Sequence, residues 1–123
     1  MLGYRALEIA YNECEDWLEA LLALLRTNRD MVVGFLAEKI PQIKPIPLEA
    51  TYLQWLDCSG LGMSDEALNC FMEDEAYWFT DPGSLFGQGG ELFQRINLAC
   101  PTGALRAALD RLDAAVLRRS CGK

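Results

Sequence analysis

The feature that most constrains the fold is a helical pattern in the first third of the chain. Between about Tyr4 and Ile40, apolar residues recur close to every 3.6 positions. An unbroken helix of this extent would be about 54 Å long at about 1.5 Å per residue, whereas a globule of this chain length is only about 35 Å across. The helix must therefore break, for which Thr27–Asn28 is the expected place, or project beyond its own domain. A projecting helix needs another surface to cover its apolar stripe, whose members are Ala10, Cys14, Trp17, Leu21, Leu24, Val32 and Phe35.

The segment after Pro41, which ends the helical pattern, favours strands followed by a helix. Thr51–Asp57 is rich in aromatic and β-favouring residues and is the clearest strand. Ile43–Ile46 is also expected to be a strand, confined to a sheet edge by its prolines. Ser64 has the position of an N-cap, followed by acidic residues, so a helix is expected from there to about Glu75.

The last third of the chain is expected to form two more strands and a closing helix. The strands are predicted at Tyr77–Thr80 and Glu91–Cys100, and Thr102 is expected to cap the helix. The element order is then αββαββα, which predicts an α+β fold of two layers, with helices packed against a small, mostly antiparallel sheet. Residues 1–40 form the long helix and residues 41–123 the remainder of the same single domain. The closing helix has an apolar stripe made of Leu105, Leu109, Leu112 and Val116.

Composition excludes several classes of function. The 123 residues carry a formal net charge of −7, which disfavours nucleic acid and anionic membrane as partners, because both are bound by clustered lysine and arginine. The sequence has no apolar run of about 18 residues, so no membrane helix is predicted, and no signal peptide is expected. The chain has no histidine, so a histidine-dependent catalytic triad or metal site within it is excluded.

The cysteines bear on the cellular compartment. There are five, an odd number, without a CxxC spacing, which argues against a disulfide framework and against a zinc site. Four of them lie among apolar neighbours and are expected to be small buried hydrophobic residues. A reducing, cytoplasmic location is therefore expected.

The candidate chemistry lies between Thr80 and Pro101, where a glycine-rich loop leads into the last strand. The two-residue period of a strand places Phe93, Arg95 and Asn97 on one face. An arginine in mid-strand beside an asparagine suits bidentate binding of a carboxylate, because the planar guanidinium offers two parallel donors. The alternative is a solvated arginine on an exposed sheet face.

The glycine-rich loop, residues 81–90, is open to two interpretations. Its glycines can bring backbone N–H groups close to an anion, or they can simply allow positive φ, and from the residues alone the second is favoured. The loop is not a Walker motif, since no Gly-Lys-Ser/Thr follows, and it is not a dinucleotide motif, because it leads into a strand.

Five stretches nevertheless occur together in the order found in one enzyme family: Ala10–Leu18, Asn28–Asp30, Thr51–Asp57, Pro82–Gly87 and Arg95–Pro101. They resemble the C-terminal third of pyridoxal-phosphate (PLP) enzymes of the aspartate-aminotransferase fold. Within that group the chain is most similar to the cystathionine β-lyase-like C–S lyase branch of the class I/II aminotransferases. The resemblance implies that the chain is the small C-terminal domain, with the long helix linking it to a large cofactor-binding domain.

The resemblance also implies roles for individual residues. Arg95 corresponds to the residue that binds the α-carboxylate of an amino-acid substrate. Asn97 and the loop that begins with Gly83 and Ser84 correspond to residues that shape the same pocket. Tyr52 corresponds to a position near the active-site entrance.

Some features depart from the family pattern. Ala50 and Asp81 stand where the family usually has glycine and asparagine. The family carries its cofactor on a lysine in a Ser-x-x-Lys context, plus ring-contacting groups in the large domain, and none of Lys39, Lys44 and Lys123 has that context. PLP is therefore expected in the full-length enzyme and not on this chain alone, which is expected to be inactive.

Two functions of different class remain open on this basis. The first is the small domain of a homodimeric PLP enzyme that performs C–S lysis or transamination on amino acids such as cystathionine. The second is a stand-alone α+β interaction module that binds a small carboxylate or a protein partner. A stand-alone module is expected to cover the apolar stripe between Trp17 and Leu25 within itself. A severed small domain is expected to expose it, to dimerise through it or to refold it onto its own sheet.

Overall fold

A computed structural model of the chain describes residues 2–121. Two helices come first, α1 (Leu2–Glu13) and α2 (Glu15–Lys39). The remaining elements are, in chain order, β1 (Lys44–Pro45), β2 (Leu53–Asp57), α3 (Asp65–Cys70), β3 (Asp81–Pro82), β4 (Phe93–Asn97) and α4 (Thr102–Cys121). No helix of the described part is long and apolar enough to cross a membrane.

The long N-terminal helical segment is interrupted at Cys14, where φ is −113° and ψ is 26°. The break expected at Thr27–Asn28 does not occur, because α2 continues through both residues. Asparagine disfavours a helix interior when its side chain competes for the local backbone. Here the side-chain amide of Asn28 instead donates to the carbonyl oxygens of Leu98 and Cys100, at 2.8 and 2.9 Å. Tertiary hydrogen bonds thus keep this residue inside the helix.

The N-terminal part of the helical segment extends beyond the surface that the rest of the chain covers. None of the residues of α1 is buried, and Trp17 near the start of α2 is 66% exposed. Full burial begins at Asn28 and continues at Val32 and Leu36, where α2 packs into the core. Other exposed apolar side chains on this segment are Leu2, Tyr4, Leu7, Tyr11 and Leu18.

Four strands form one antiparallel sheet in the order β1-β2-β4-β3. The α+β fold class is thus confirmed. The two edge strands are only two residues long and contain Pro45 and Pro82. Proline, which has no backbone N–H, is tolerated in edge strands. The two central strands pair so that Trp55 lies opposite Arg95. This register brings the candidate arginine to the middle of the sheet.

The two faces of the sheet differ in burial. Leu56 and Ile96 are buried and belong to one apolar cluster with residues of α2, α3 and α4. Trp55, Phe93 and Arg95 alternate with them and are only partly buried. One face therefore carries the helices, and the other is left open to a ligand or a partner. The predicted stripe of α4 is confirmed, because Leu105, Leu109, Leu112 and Val116 are all buried.

The predicted strand at Tyr77–Thr80 does not form, and the strand here is the following pair, Asp81–Pro82. The chain leaves α3 through a π-helical turn, Phe71–Glu75. Tyr77 then has a positive φ of 49°, and the N–H of Trp78 donates back to the carbonyl of Met72 at 2.8 Å. These residues are used to reverse the chain and are not extended.

Of the two predicted helix caps, one is confirmed. The hydroxyl oxygen of Ser64 accepts a hydrogen bond from the N–H of Ala67 at 3.3 Å. Thr102 is not a cap: it lies inside the first turn of α4, and its hydroxyl donates to Oδ1 of Asn28 at 2.8 Å. As with Asn28, the side chain of Thr102 bonds to a distant residue, whereas the local pattern predicted that it would cap the backbone of its own helix.

The prediction of four buried cysteines is wrong. Cys58 is buried, Cys14 and Cys100 are partly buried, and Cys70 and Cys121 are exposed. Apolar neighbours in sequence do not decide burial on a helix, because successive residues point to different sides of it.

Candidate functional site

The guanidinium of Arg95 is held on two sides on the open face of the sheet. Its Nε and Nη2 donate to Oδ2 of Asp81, at 3.1 and 2.9 Å. Its central carbon lies 4.3 Å from the ring centroid of Phe86, so the planar cation stacks on the aromatic ring. The first contact follows from strand pairing, since Asp81 lies directly opposite Arg95 in the β3–β4 register.

One edge of this guanidinium remains free. Both hydrogen bonds to Asp81 use the edge formed by Nε and Nη2. Among residues 2–121, Nη1 has no hydrogen-bond partner, and it is not one of the buried unsatisfied atoms, so it reaches solvent. The Arg95 side chain as a whole is 25% exposed. The edge formed by Nη1 and Nη2 can therefore donate two parallel hydrogen bonds to a carboxylate.

Beside Arg95 lies an apolar groove of about 410 Å³. Three aromatic side chains form its walls: the ring of Trp55 meets Phe86 edge to face at 5.3 Å and Phe93 at 6.3 Å between centroids. Phe86 thus contacts the guanidinium and also lines the groove. None of the side chains that line the groove is titratable. The site is suited to binding and orienting a molecule and offers no acid or base of its own there.

The glycine-rich loop forms the rest of the groove. It starts with a 3₁₀ turn, Gly83–Phe86. Gly87 and Gly89 have φ values of 118° and 87°, so positive φ accounts for them. Gly83 and Gly90 serve a different purpose, because each packs directly against the backbone of the other.

The other residues expected at the site fall into two groups. Gly83 is buried and lines the groove, and Ser84 follows it in the same turn, exposed. Asn97 and Tyr52 lie instead at one end of the two central strands, because Leu53 pairs with Asn97. The groove therefore gathers the loop residues next to Arg95, while Asn97 and Tyr52 are at the sheet end.

Asn97 and Tyr52 both have roles in the local backbone. Oδ1 of Asn97 accepts from the N–H of Ala99 at 2.7 Å. The carbonyl oxygen of Tyr52 accepts from the N–H of Leu98 at 2.8 Å, and its side chain is 45% exposed. Both contacts hold the chain where it leaves the last strand.

Sequence reasoning missed Asp81 and Phe86 as the two partners of Arg95. Asp81 could be found only from the correct register, and the strand had been expected four residues earlier. Phe86 lies nine residues before Arg95, and no periodicity links a 3₁₀ turn to a strand. A signal was present all the same, since an acidic residue beside Pro-Gly precedes the only arginine of this region.

The titratable groups with shifted pKa values lie away from the groove. Burial, together with the charge of Asp57, raises the pKa of the Cys58 thiol to about 12. Hydrogen bonds from Ser59 lower the pKa of Asp57, and those from Arg119 lower the pKa of Glu75. None of these groups contacts Arg95, so they bear on stability and not on the candidate site.

Comparisons with known proteins identify relatives across almost the entire chain. It is 35% identical over 111 residues to the cystathionine β-lyase PatB of Bacillus subtilis, an alignment that covers 90% of this chain and 29% of the relative. The cystathionine β-lyase of Corynebacterium glutamicum is 35% identical over 112 residues, with 91% and 29% covered. The chain is a homologue of cystathionine β-lyases and related pyridoxal-phosphate enzymes.

A solved structure agrees with this relationship. Cystalysin from Treponema denticola, whose crystal structure contains pyridoxal 5′-phosphate, matches with a TM-score of 0.92 and 41% identity. That match covers 96% of this chain and 30% of cystalysin. The chain thus spans about a third or less of the length of the relatives it matches, and it corresponds to their C-terminal region. The resemblance stated from the sequence is confirmed. No family model matches the chain.

The residues that the structure describes do not fit the cofactor of these relatives. Among residues 2–121 the lysines are Lys39 and Lys44. Nζ of Lys39 lies 3.6 Å from the carboxylate of Glu38 at the end of α2. Lys44 is exposed in the edge strand β1, opposite Asp57. Neither lysine lines the groove beside Arg95, so the described part of the chain provides no lysine for the cofactor.

Proposed function

We propose that this chain is the part of a PLP-dependent C–S lyase or aminotransferase that recognises the carboxylate of an amino-acid substrate, such as cystathionine. The observation that carries the proposal is the free edge of Arg95 beside an apolar groove. A guanidinium with a free pair of parallel donors, next to apolar walls, suits an amino acid, which has a carboxylate at one end and a side chain at the other. The relationship to cystathionine β-lyases supports the same substrate class.

In this proposal the residues of the chain bind and orient the substrate. Arg95 holds the α-carboxylate, and stacking on Phe86 orients the plane of the guanidinium. The loop at Gly83 and Ser84 shapes the pocket, and Asn97 and Tyr52 hold the backbone at the sheet end where β4 finishes. Holding a reactant in one orientation contributes several kcal/mol to many enzymatic reactions, on the order of 7–11 kcal/mol in well-oriented model systems.

The cofactor belongs, in this proposal, to the remainder of the full-length enzyme. When bound there, it supplies the electron withdrawal that both lysis and transamination of an amino acid require. The isolated chain is then expected to be inactive, because neither lysine of residues 2–121 lies beside the groove. A borohydride-reducible absorbance band formed on adding PLP to this chain would contradict this assignment.

The exposed apolar stripe of α1 and of the start of α2 supports the same proposal. Tyr4 and Tyr11 are 82% and 84% exposed, and Trp17 is 66% exposed. Such a stripe calls for a cover, and about two thirds of the length of the relatives is not matched by this chain. We assign the stripe to contact with the large cofactor-binding domain, in a cytoplasmic homodimer. A stand-alone interaction module is expected to cover the segment between Trp17 and Leu25 within itself. Trp17 and Leu18 are exposed, at 66% and 46%, which disfavours that alternative, whereas the leucines that follow are partly buried: Leu21, Leu22, Leu24 and Leu25.

The proposal is tested by substituting Arg95 in the full-length enzyme. Arg95→Ala is expected to raise KM for the amino-acid substrate roughly 10- to 100-fold, since a charge-assisted hydrogen bond contributes about 1.5–3 kcal/mol. Arg95→Lys keeps the charge but loses the planar pair of donors, so it is expected to restore only part of the binding.

Arg106→Ala is the matched control. Arg106 also combines an ion pair, 3.1 Å to Asp110, with stacking on an aromatic ring, 5.1 Å from Phe35, but it lies on α4, away from the groove. Its substitution is expected to leave KM unchanged. An unaltered KM in Arg95→Ala would remove Arg95 from the substrate site and end the proposal.

A further inference from the structure

We propose that Asp81 is the positioning residue of Arg95: it holds the guanidinium from the side, so that the outer edge is presented to the carboxylate of a ligand. The inference deepens the proposed function and rests on Arg95 being the carboxylate-binding group. In this role Asp81 does more than neutralise the charge of Arg95, because it also sets the direction in which the guanidinium points.

Asp81 and a ligand would use different N–H groups of the same guanidinium. The group has five, and two of them, one on Nε and one on Nη2, point to Oδ2 of Asp81. The two on Nη1 and the second on Nη2 remain, and one from each of these nitrogens lies on the outer edge, parallel to the other. A ligand carboxylate can therefore bind without displacing Asp81. Phe86 fixes the plane of the guanidinium, and Asp81 fixes its direction within that plane.

The backbone of Asp81 is itself anchored, as a positioning residue requires. The hydroxyl of the preceding Thr80 donates to Oε1 of Gln94 at 2.6 Å, and both side chains are buried. The amide of Gln94 in turn donates to Asn69 of α3 at 2.7 Å. On the other side, Pro82 pairs with Gln94 in the sheet. The carboxylate that holds Arg95 is therefore tied to the core and not to a free loop.

The charge of Asp81 also opposes an incoming anion, so two effects compete. The side chains of Asp81 and Arg95 are 47% and 25% exposed, and salt screens the repulsion between exposed charges. The ordering of a long arginine side chain is not screened, and a side chain ordered in advance lowers the entropic cost of binding. At high ionic strength the positioning effect is expected to dominate.

The experiment uses NMR on the chain itself, with acetate as the probe at high ionic strength. The Nε–Hε signal of Arg95 reports its hydrogen bond to Asp81, and its shift on adding acetate reports binding. In wild type we expect a signal protected from solvent exchange. In Asp81→Ala we expect that protection to be lost and the dissociation constant for acetate to rise about fivefold. In Asp81→Asn, which keeps an acceptor oxygen, we expect both properties to stay within about twofold of wild type.

Glu75→Ala is the matched control, because it removes an equivalent carboxylate from a different arginine, Arg119, at 2.7 Å. It is expected to leave the Arg95 signal unchanged. If acetate binds Asp81→Ala as tightly as wild type, or more tightly, then Asp81 has no effect on anion binding or opposes it. That result overturns the inference and leaves the proposed function standing. If acetate fails to shift Arg95 in wild type, the proposed function fails, and the inference fails with it.

Discussion

Gly83 and Gly90 approach each other so closely that neither has room for a side chain. A Cβ built on Gly83 would overlap the carbonyl oxygen of Gly90, and a Cβ on Gly90 would overlap the carbonyl oxygen of Gly83. The Cβ of Phe93 is a further obstacle, 2.8 Å from the position of a Cβ on Gly83. Since the nearest obstacles are the backbone carbonyl oxygens, they can move only if the loop moves. This contact closes the loop that forms the groove.

Gly83→Ala and Gly90→Ala are therefore expected to destabilise the chain, by about 1–3 kcal/mol each, the usual cost of overpacking. Gly34→Ala is the control, because a Cβ there meets nothing within 4 Å and alanine is the better helix former, by roughly 0.5–1 kcal/mol. Urea unfolding followed by tryptophan fluorescence measures all three. Equal stability of Gly83→Ala and Gly34→Ala would show that the loop can relax and that the contact is not restrictive.

Asn28 ties α2 to the segment after the last strand. It is fully buried, it donates to Leu98 and Cys100, and it accepts from Thr102. Asn28→Ala would leave two backbone carbonyl oxygens without this donor, each costing about 1–3 kcal/mol when buried. We expect a loss of about 2–4 kcal/mol in the free energy of unfolding.

Thr27→Ala is the control for Asn28, since Thr27 is the adjacent residue of the helix. It is exposed and donates only to the carbonyl of Ala23, one turn earlier. Its substitution is expected to change the free energy of unfolding by no more than about 0.5 kcal/mol. A similar small effect for Asn28→Ala would contradict the role given to the tertiary hydrogen bonds.

Cys58 is expected to resist thiol reagents in the folded chain. Burial raises its pKa to about 12 from an ordinary value of 9.0, so the reactive thiolate is rare, whereas Cys70 and Cys121 are exposed. At neutral pH a disulfide reagent should label the two exposed cysteines rapidly and Cys58 only on unfolding. Mass spectrometry of the labelled peptides measures this, and rapid labelling of Cys58 in the native chain would refute it.

The same thiol implies a dependence of stability on alkaline pH. Between pH 9.0 and about 12 the thiol is ionised in the unfolded chain but remains protonated in the folded one. The unfolded state then binds fewer protons, so stability falls as pH rises through this window. Cys58→Ala is expected to be less stable at neutral pH, because it loses buried volume, but to show a flatter profile above pH 9.0. An equally steep profile would assign the alkaline loss to other groups.

Glu75 makes the opposite contribution in acid. Its carboxylate accepts from Nη2 of Arg119 at 2.7 Å and from Nε at 3.1 Å, and these hydrogen bonds lower its pKa. Because the pKa of Glu75 is lower in the folded state, the stabilisation is complete above the pKa that Glu75 has in the unfolded chain. It is lost as pH falls through the pKa that Glu75 has in the folded chain. Glu75→Gln is expected to reduce the acid sensitivity of the unfolding midpoint. Glu73→Gln, on an exposed carboxylate of the same turn, serves as control, and equal profiles for the two would contradict the prediction.

Features set by neighbours along the chain were predictable from the sequence. The alternation of Phe93, Arg95 and Asn97 with buried residues follows from the two-residue period of a strand, and structure and sequence agree on it. The cap at Ser64 and the stripe of α4 follow from equally local rules. Arg95 could be singled out for the same reason, since an arginine on the open face of a strand is visible in the pattern alone.

Features set by distant partners were not predictable. Asn28 remains inside a helix because its partners lie 70 and 72 residues away. The sequence predicts the strand opposite Arg95 four residues too early, because the chain reverses at Tyr77, where the N–H of Trp78 donates to the carbonyl of Met72 in the π-helical turn. Each of these outcomes depends on contacts that no local period encodes.

The sequence by itself therefore determined most of the elements, the relationship to PLP enzymes and the candidate arginine. Only the tertiary structure decided what surrounds that arginine: Asp81 holds one edge, the face stacks on Phe86, which also lines the groove, and another edge is free. The physical reason is that secondary structure and side-chain alternation arise from local backbone geometry, whereas the direction of a guanidinium is set by hydrogen bonds and packing between strands. Those depend on register, which is fixed only when the whole sheet forms.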